Sequence, residues 1–177
     1  MTHSSEDSII RHDLQTVAFY NIENLFDIYD DSRTYDNDFT PVNVKKWTPK
    51  RYENKLHKLG FAISNISKKE TGKHPALVGL AEVENAKVIE DLITTNHLKD
   101  CNYRYIHYDS LDERGIDVAL LYDSTAFKVL HSEIFKIDLT NENGEPDYTR
   151  DILLVTGLLD GEQIHVIANH WSSRREG

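Results

Sequence analysis

The stretch Leu77-Val-Gly-Leu-Ala-Glu-Val-Glu-Asn85 decides how this chain is read, because it carries an apolar run that ends on a carboxylate. The run Ala76 to Ala81 is short, follows Lys73-His74-Pro75 and precedes a helical pattern, which marks a buried strand rather than a helix. Period-two geometry puts Val78, Leu80 and Glu82 on one face, so the apolar stripe leaves the core at Glu82, which either enters a polar pocket or begins a solvated turn. Thr16-Val-Ala-Phe-Tyr-Asn21-Ile-Glu-Asn-Leu-Phe26 has the same build, with Val17, Phe19 and Asn21 sharing a face. As adjacent parallel strands, the two segments hold an amide and a carboxylate side by side at their C-terminal ends, where α/β sheets place ligands. Oxygen donors of that kind select a hard divalent cation, Mg²⁺ or Ca²⁺.

Working outward, residues 1 to 14 read as a polar, disordered tail and 15 to 177 as one domain. Residues 28 to 46 form a long acidic loop without periodicity, either lining or covering a site or standing as a solvated insertion. Thr48-Pro49 supplies a helix cap and first residue, and Tyr52, Leu56, Leu59, Ile63 and Ile66 then recur at helical spacing. Asn85 caps a second helix whose Val88, Ile89, Leu92 and Ile93 face the sheet. From Tyr103 onward the pattern is all strand: Tyr103 to Tyr108, Ile116 to Tyr122, Phe127 to Ile137, Ile152 to Leu159 and Gln163 to Ala168. The loop Asp109-Ser-Leu-Asp-Glu-Arg-Gly115, the turn at 141 to 146 and the hairpin signal Asp160-Gly161 separate them. Strand, helix, strand, helix and then strands describe a layered α/β domain.

The formal net charge of -10 disfavours a polyanion binder that works by bulk attraction, while leaving room for a few local phosphate contacts. No apolar run is long enough to span a bilayer, and Met1-Thr-His-Ser-Ser-Glu-Asp lacks the features of a secretion signal. The single cysteine, Cys101, cannot form an internal disulfide, so the chain reads as cytoplasmic. The last strand runs into Ala168-Asn-His-Trp-Ser-Ser-Arg-Arg-Glu-Gly177. There His170 continues the face of Ile164, Val166 and Ala168, and Asn169 takes the other face.

Taken in order, these segments resemble the endonuclease/exonuclease/phosphatase superfamily of metal-dependent phosphohydrolases over residues 16 to 177. Phe19-Tyr-Asn21-Ile-Glu-Asn-Leu-Phe is similar to the family's first motif, and Leu80-Ala-Glu82-Val-Glu-Asn to its main metal-binding motif, with Ala81 where Gln is commoner. Tyr103-Arg-Tyr-Ile-His-Tyr-Asp109 resembles the segment bearing an acidic partner for the catalytic histidine. Arg114-Gly-Ile-Asp-Val-Ala-Leu-Leu-Tyr122 is similar to the central strand. Thr149-Arg150 resembles the phosphate-contacting arginine, and Asn169-His170-Trp-Ser-Ser-Arg174 the histidine motif.

The resemblance implies a nuclease or phosphodiesterase that uses Mg²⁺, with Mn²⁺ or Ca²⁺ as alternatives, and an activated water. It implies Glu82 and Asn21 at the metal, His170 and Asp109 in catalysis, and Arg150, Asn169 and Arg174 at the phosphate. Its substrate is a phosphoester, with nucleic acid among the candidates. The family's Asp-x-Asn and Ser-Asp-His motifs lie downstream of these residues. The expected fold is therefore a partial four-layer α/β/β/α sandwich of the deoxyribonuclease-like kind, lacking its C-terminal strands. The alternative is an incomplete, inactive fragment or binding module that a complementing C-terminal segment or partner chain completes.

Overall fold

The computed structural model describes residues 14–171; the expected tail before Leu14, and Arg174, lie outside the described residues. Thr48 opens the first helix as its sequence suggests. Its Oγ1 accepts a hydrogen bond from the Arg51 N–H at 3.4 Å, and Pro49 takes the first helical position. Helix α1 (Pro49–Asn65) then buries Tyr52, Leu56, Leu59 and Ile63. A single further turn, α2 (Lys68–Thr71), closes on Gly72 in the left-handed conformation. Asn85 Oδ1 accepts from the Val88 N–H at 3.1 Å and so caps α3 (Ala86–Ile93), which buries Val88, Ile89 and Leu92.

Strands β1 (Val17–Leu25), β2 (Leu77–Val83), β3 (Tyr103–His107) and β4 (Asp117–Asp123) form one sheet in the order β1-β2-β4-β3. The expected parallel neighbours are present, since β1 runs parallel to β2 with Asn21 opposite Ala81. Strand β5 (Phe127–Phe135), the short β6 (Leu139–Thr140) and β7 (Pro146–Asp147), β8 (Ile152–Leu159) and β9 (Glu162–Ala168) follow. Of these, β5, β8 and β9 make a second, antiparallel sheet in the order β5-β8-β9. The 141–146 turn is flanked by the two-residue ribbon β6-β7, too short to leave a periodic signal.

Two apolar layers hold this together. Val78, Leu80, Ala119 and Leu121 face the helices and pack with Leu56, Ile63, Ile89 and Leu92. Leu77, Ala81, Val118 and Leu120 face the second sheet and pack with Phe127, Leu153, Val155 and Ala168. Alternate residues of one strand thus serve two cores, as expected for a sheet covered on both sides. The architecture is helices on sheet on sheet, which bears out the α/β sandwich; no helical layer over the second sheet occurs among the described residues.

Parity along β2 holds to Ala81 and then breaks. Glu82 has φ +67°, the register shifts there against both neighbours, and Val83 returns to the helix-side core. The expectation that Glu82 shares a face with Val78 and Leu80 is therefore corrected: a β-bulge takes it out of the pleat and re-aims it. In β1 the grouping of Val17, Phe19 and Asn21 holds, opposite Ala18, Tyr20 and Ile22 on the helix side. Val17 and Phe19 nonetheless stay 57% and 54% exposed, since β1 is the sheet edge and β9 packs on β2 and β4.

Directly after β2, Glu84 Oε2 accepts the Asp27 N–H and ties down the start of the 28–46 loop. Burial pushes its carboxyl up to about 8; that hydrogen bond opposes the shift, and the charges of Asp27, Asp36 and Asp31 add to it. Because the folded value lies above the unfolded one, the stability contributed by protonated Glu84 is complete below the ordinary carboxylate range and is lost as pH rises through about 8. Urea midpoints in chelator are expected to fall between about pH 5 and pH 8.5, and Glu84→Gln, which keeps an acceptor for Asp27, should flatten that slope.

Gly157 on β8 leaves room for the buried Phe127. A Cβ there would overlap the Phe127 ring and stand 2.7 Å from the Lys128 carbonyl oxygen. Gly157→Ala should cost about 1–3 kcal/mol, read as a lowered denaturation midpoint.

Candidate active site

The strand directions bring chemistry to one rim. The C-terminal ends of β1, β2, β3 and β9 and the start of β4 lie together, so Asn21, Glu82, His107, Asp117 and His170 belong to one end of the sandwich. Both inner strands deform where they reach it. Glu82 sits in its bulge, and Glu23 and Asn24 take φ of +55° and +59° as β1 shifts register between Asn21 and Leu25. Left-handed conformations on non-glycine residues carry strain, and three of them here mark a rim that has been shaped rather than merely ended.

Glu82 is half-buried, and its Oε1 lies 3.7 Å from His170 Nε2. The structure thus brings together the expected carboxylate and imidazole, one from each sheet. Asn21 is exposed, and its Oδ1 accepts the Glu23 N–H at 2.8 Å, which shapes the exit of β1. Asn169 is half-buried beside His170. Burial lowers the His170 pKa below its ordinary value; the positive charge of Arg150 adds to this, Glu82 opposes it, and Arg114 lowers it further. The imidazole is therefore neutral at pH 7.

Two expected placements change. Asp109 is exposed, with its Oδ1 3.8 Å from His107 Nδ1, and it forms no ion pair with His170, whose buried Nδ1 has no hydrogen-bond partner among the described residues. The carboxylate that approaches the His170 segment is instead Asp112, three residues beyond Asp109. Arg150 is the second change. It is buried rather than presented to solvent: Nη1 donates to Asp112 Oδ2 at 2.9 Å, Nε to the His170 carbonyl at 2.8 Å and Nη2 to the Trp171 carbonyl at 3.3 Å. A guanidinium so engaged ties the histidine segment to the Asp112 loop.

Asp112 and Arg114 are the site residues that sequence reading passed over. Arg114 Nη2 donates to Asn24 Oδ1 at 2.6 Å, which joins the 108–116 loop to the strained exit of β1. Thr34 packs against Gly115, whose φ of +68° only glycine adopts freely, so the 28–46 loop also leans on this loop. The signal for both residues was the density of charge in Asp112-Glu-Arg-Gly115, a loop too polar to be mere linkage. Lys55 reaches the same exit from α1, donating to the Glu23 and Asn24 carbonyls; burial lowers its pKa, opposed by Glu23 and Glu82.

The profile of the Endonuclease/Exonuclease/phosphatase family matches residues 16–177. The chain belongs to that family. No curated protein matches it. Among solved structures, it is similar to the human Nocturnin catalytic domain with bound sulfate anion, at 20% identity and a TM-score of 0.44, over 68% of this chain and 44% of that one. It is also similar to ANGEL2, described as a 2',3'-cyclic phosphatase, at 15% identity and a TM-score of 0.46, over 85% of this chain and 38% of that one. The chain spans less than half the length of either.

A surface phosphate clamp and a buried positioning group respond differently to removal. Arg150→Ala should destabilise the fold by about 3–5 kcal/mol in urea unfolding, because it strands the Asp112 carboxylate. A change within about 0.5 kcal/mol would return Arg150 to the surface role.

Proposed function

We propose that this protein is a metal-dependent phosphoester hydrolase of the nuclease or phosphodiesterase type. The reading is supported above all by the meeting of Glu82 and His170 at 3.7 Å across the two sheets, beside Asn21 at the rim where four strands end. Glu82 fits a hard divalent cation: its carboxylate is half-buried on a strained bulge and accepts no hydrogen bond among the described residues. Glu82, with the amide of Asn21 beside it, would hold Mg²⁺, or Mn²⁺ or Ca²⁺ in its place. The bound ion supplies charge neutralisation at the phosphate and at the leaving oxygen.

The chain's own residues do the rest. His170, neutral near pH 7, offers one imidazole N–H to a phosphate oxygen or to the leaving group. Arg150 fixes that imidazole in place by holding the His170 and Trp171 carbonyls, and Asp112 fixes Arg150. Arg114 brings a second positive charge to the same rim. Asn169 follows the same strand end, the motif adds Arg174 as a phosphate contact, and nucleic acid is one phosphoester class that fits this reading. The family's nature as a phosphohydrolase superfamily fits the same chemistry.

A second reading has its own observation. Val17 and Phe19 lie exposed on the inter-sheet face of an unpaired edge strand, as a sandwich awaiting further strands would leave them. On that reading, a complementing segment or partner chain completes the site.

The test is Mg²⁺-dependent hydrolysis of bis(4-nitrophenyl) phosphate and of a labelled oligonucleotide. Glu82→Gln and His170→Ala are each expected to lower turnover by at least about 100-fold, and near-normal turnover in either removes the assignment. A monomer that is active alone would overturn the second reading.

A further inference from the structure

We propose that His107, Asp109 and Asp117 form a second metal site, for a borderline divalent ion of the zinc class, which clamps the neck of the loop carrying Asp112 and Arg114. One nitrogen of His107 and one carboxylate oxygen from each aspartate lie within 4.8 Å of one another. His107 ends β3, Asp109 follows it, and Asp117 begins β4, so the three side chains stand at the two feet of the 108–116 loop.

The imidazole is the independent sign of a ligand. The His107 side chain is only 3% exposed, and its Nε2 has no hydrogen-bond partner among the described residues although it is fully buried. An orphaned nitrogen of this kind is costly unless something binds it. It faces Asp117 Oδ2 at 3.6 Å, too long for a hydrogen bond. Two ligands of one tetrahedral ion, each bonded at about 2.0–2.1 Å, stand roughly 3.3–3.4 Å apart, so the pair needs only a small contraction.

Asp117 is held for the task, since its other oxygen accepts the Ser110 N–H at 3.2 Å. Asp109 stands 3.8 Å from the other ring nitrogen, Nδ1; its side chain is 84% exposed and would swing round to the Nε2 side to join the ion, leaving the outer side open to water. Asp151 adds acidity nearby: it lines a small cavity with Tyr108 and Asp117. The cations that face the group, Arg33 toward Asp109 and Lys136 toward Asp151, act from a distance, and Arg33 is itself paired with Asp31 at 2.6 Å. A buried imidazole with carboxylates suits Zn²⁺, Co²⁺, Ni²⁺ or Mn²⁺ better than Mg²⁺. Closing the neck would hold Asp112 against Arg150 and Arg114 against Asn24, so the ion would act on the rim without touching substrate.

The experiment titrates the chelator-stripped chain with Co²⁺, followed by visible absorption, and with Zn²⁺, followed by calorimetry. Glu82→Gln, which disables the other proposed site, should keep a Co²⁺ absorption band. Asp109→Asn should weaken affinity by at least about tenfold, the scale on which even an outer-shell loss is felt, and His107→Gln should abolish the band. Zn²⁺ should also slow tryptic cleavage after Arg114 in the unmodified chain and not in Asp109→Asn. Should His107→Gln fail to fold, the exposed Asp109 carries the test. Loss of the band in Glu82→Gln, or unchanged affinity in Asp109→Asn, overturns the proposal and leaves His107 as a structural residue between two carboxylates.

Discussion

The guanidinium of Arg150 is the interaction on which the rest of the rim depends. It is buried, it pairs with Asp112 from the first sheet's loop, and it donates to two successive carbonyls at the exit of the second sheet's last described strand. Two sheets packed through side chains alone fix their separation well and their sliding poorly. A planar cation that bonds to both sheets at once fixes the sliding. Only when the sheets hold that register does His170 stand within 3.7 Å of Glu82. Buried charge of this kind is tolerable because each partner is hydrogen-bonded, so what is lost on desolvation is recovered only while the whole arrangement stays intact.

Strain is the second organising feature. Period-two geometry would have sent Glu82 to the helix-side core, where a carboxylate has no place. The bulge sends it to the rim and lets Val83 resume packing. The left-handed backbone at Glu82 costs stability, and the core on either side of it holds it in place. The exit of β1 is handled in the same way, with Lys55 and Arg114 bonded to the strained segment from opposite directions.

Charge at the rim differs from charge over the whole chain. The net -10 belongs to the chain as a whole, whereas Arg114, Arg150 and Lys55 gather around Glu82 and His170. The His107 cluster at the next strand ends shows the opposite balance, with acids in excess and cations held off.

By itself the sequence determined the elements and their order. The capped helices, the two apolar strands with polar ends, the strand-rich second half and the family motifs were all legible, because each rests on local spacing, capping and turn chemistry. Glu82 and His170 were legible too, as polar residues at the ends of apolar stripes. Only the tertiary structure decided which way Glu82 points, since a bulge is set by two neighbouring strands at once. It alone showed that Asp112 rather than Asp109 approaches the histidine segment, and that Arg150 is a buried brace. Those outcomes depend on how far a loop turns before it meets the other sheet. That distance is settled by packing between segments some forty residues apart, and no local pattern encodes it.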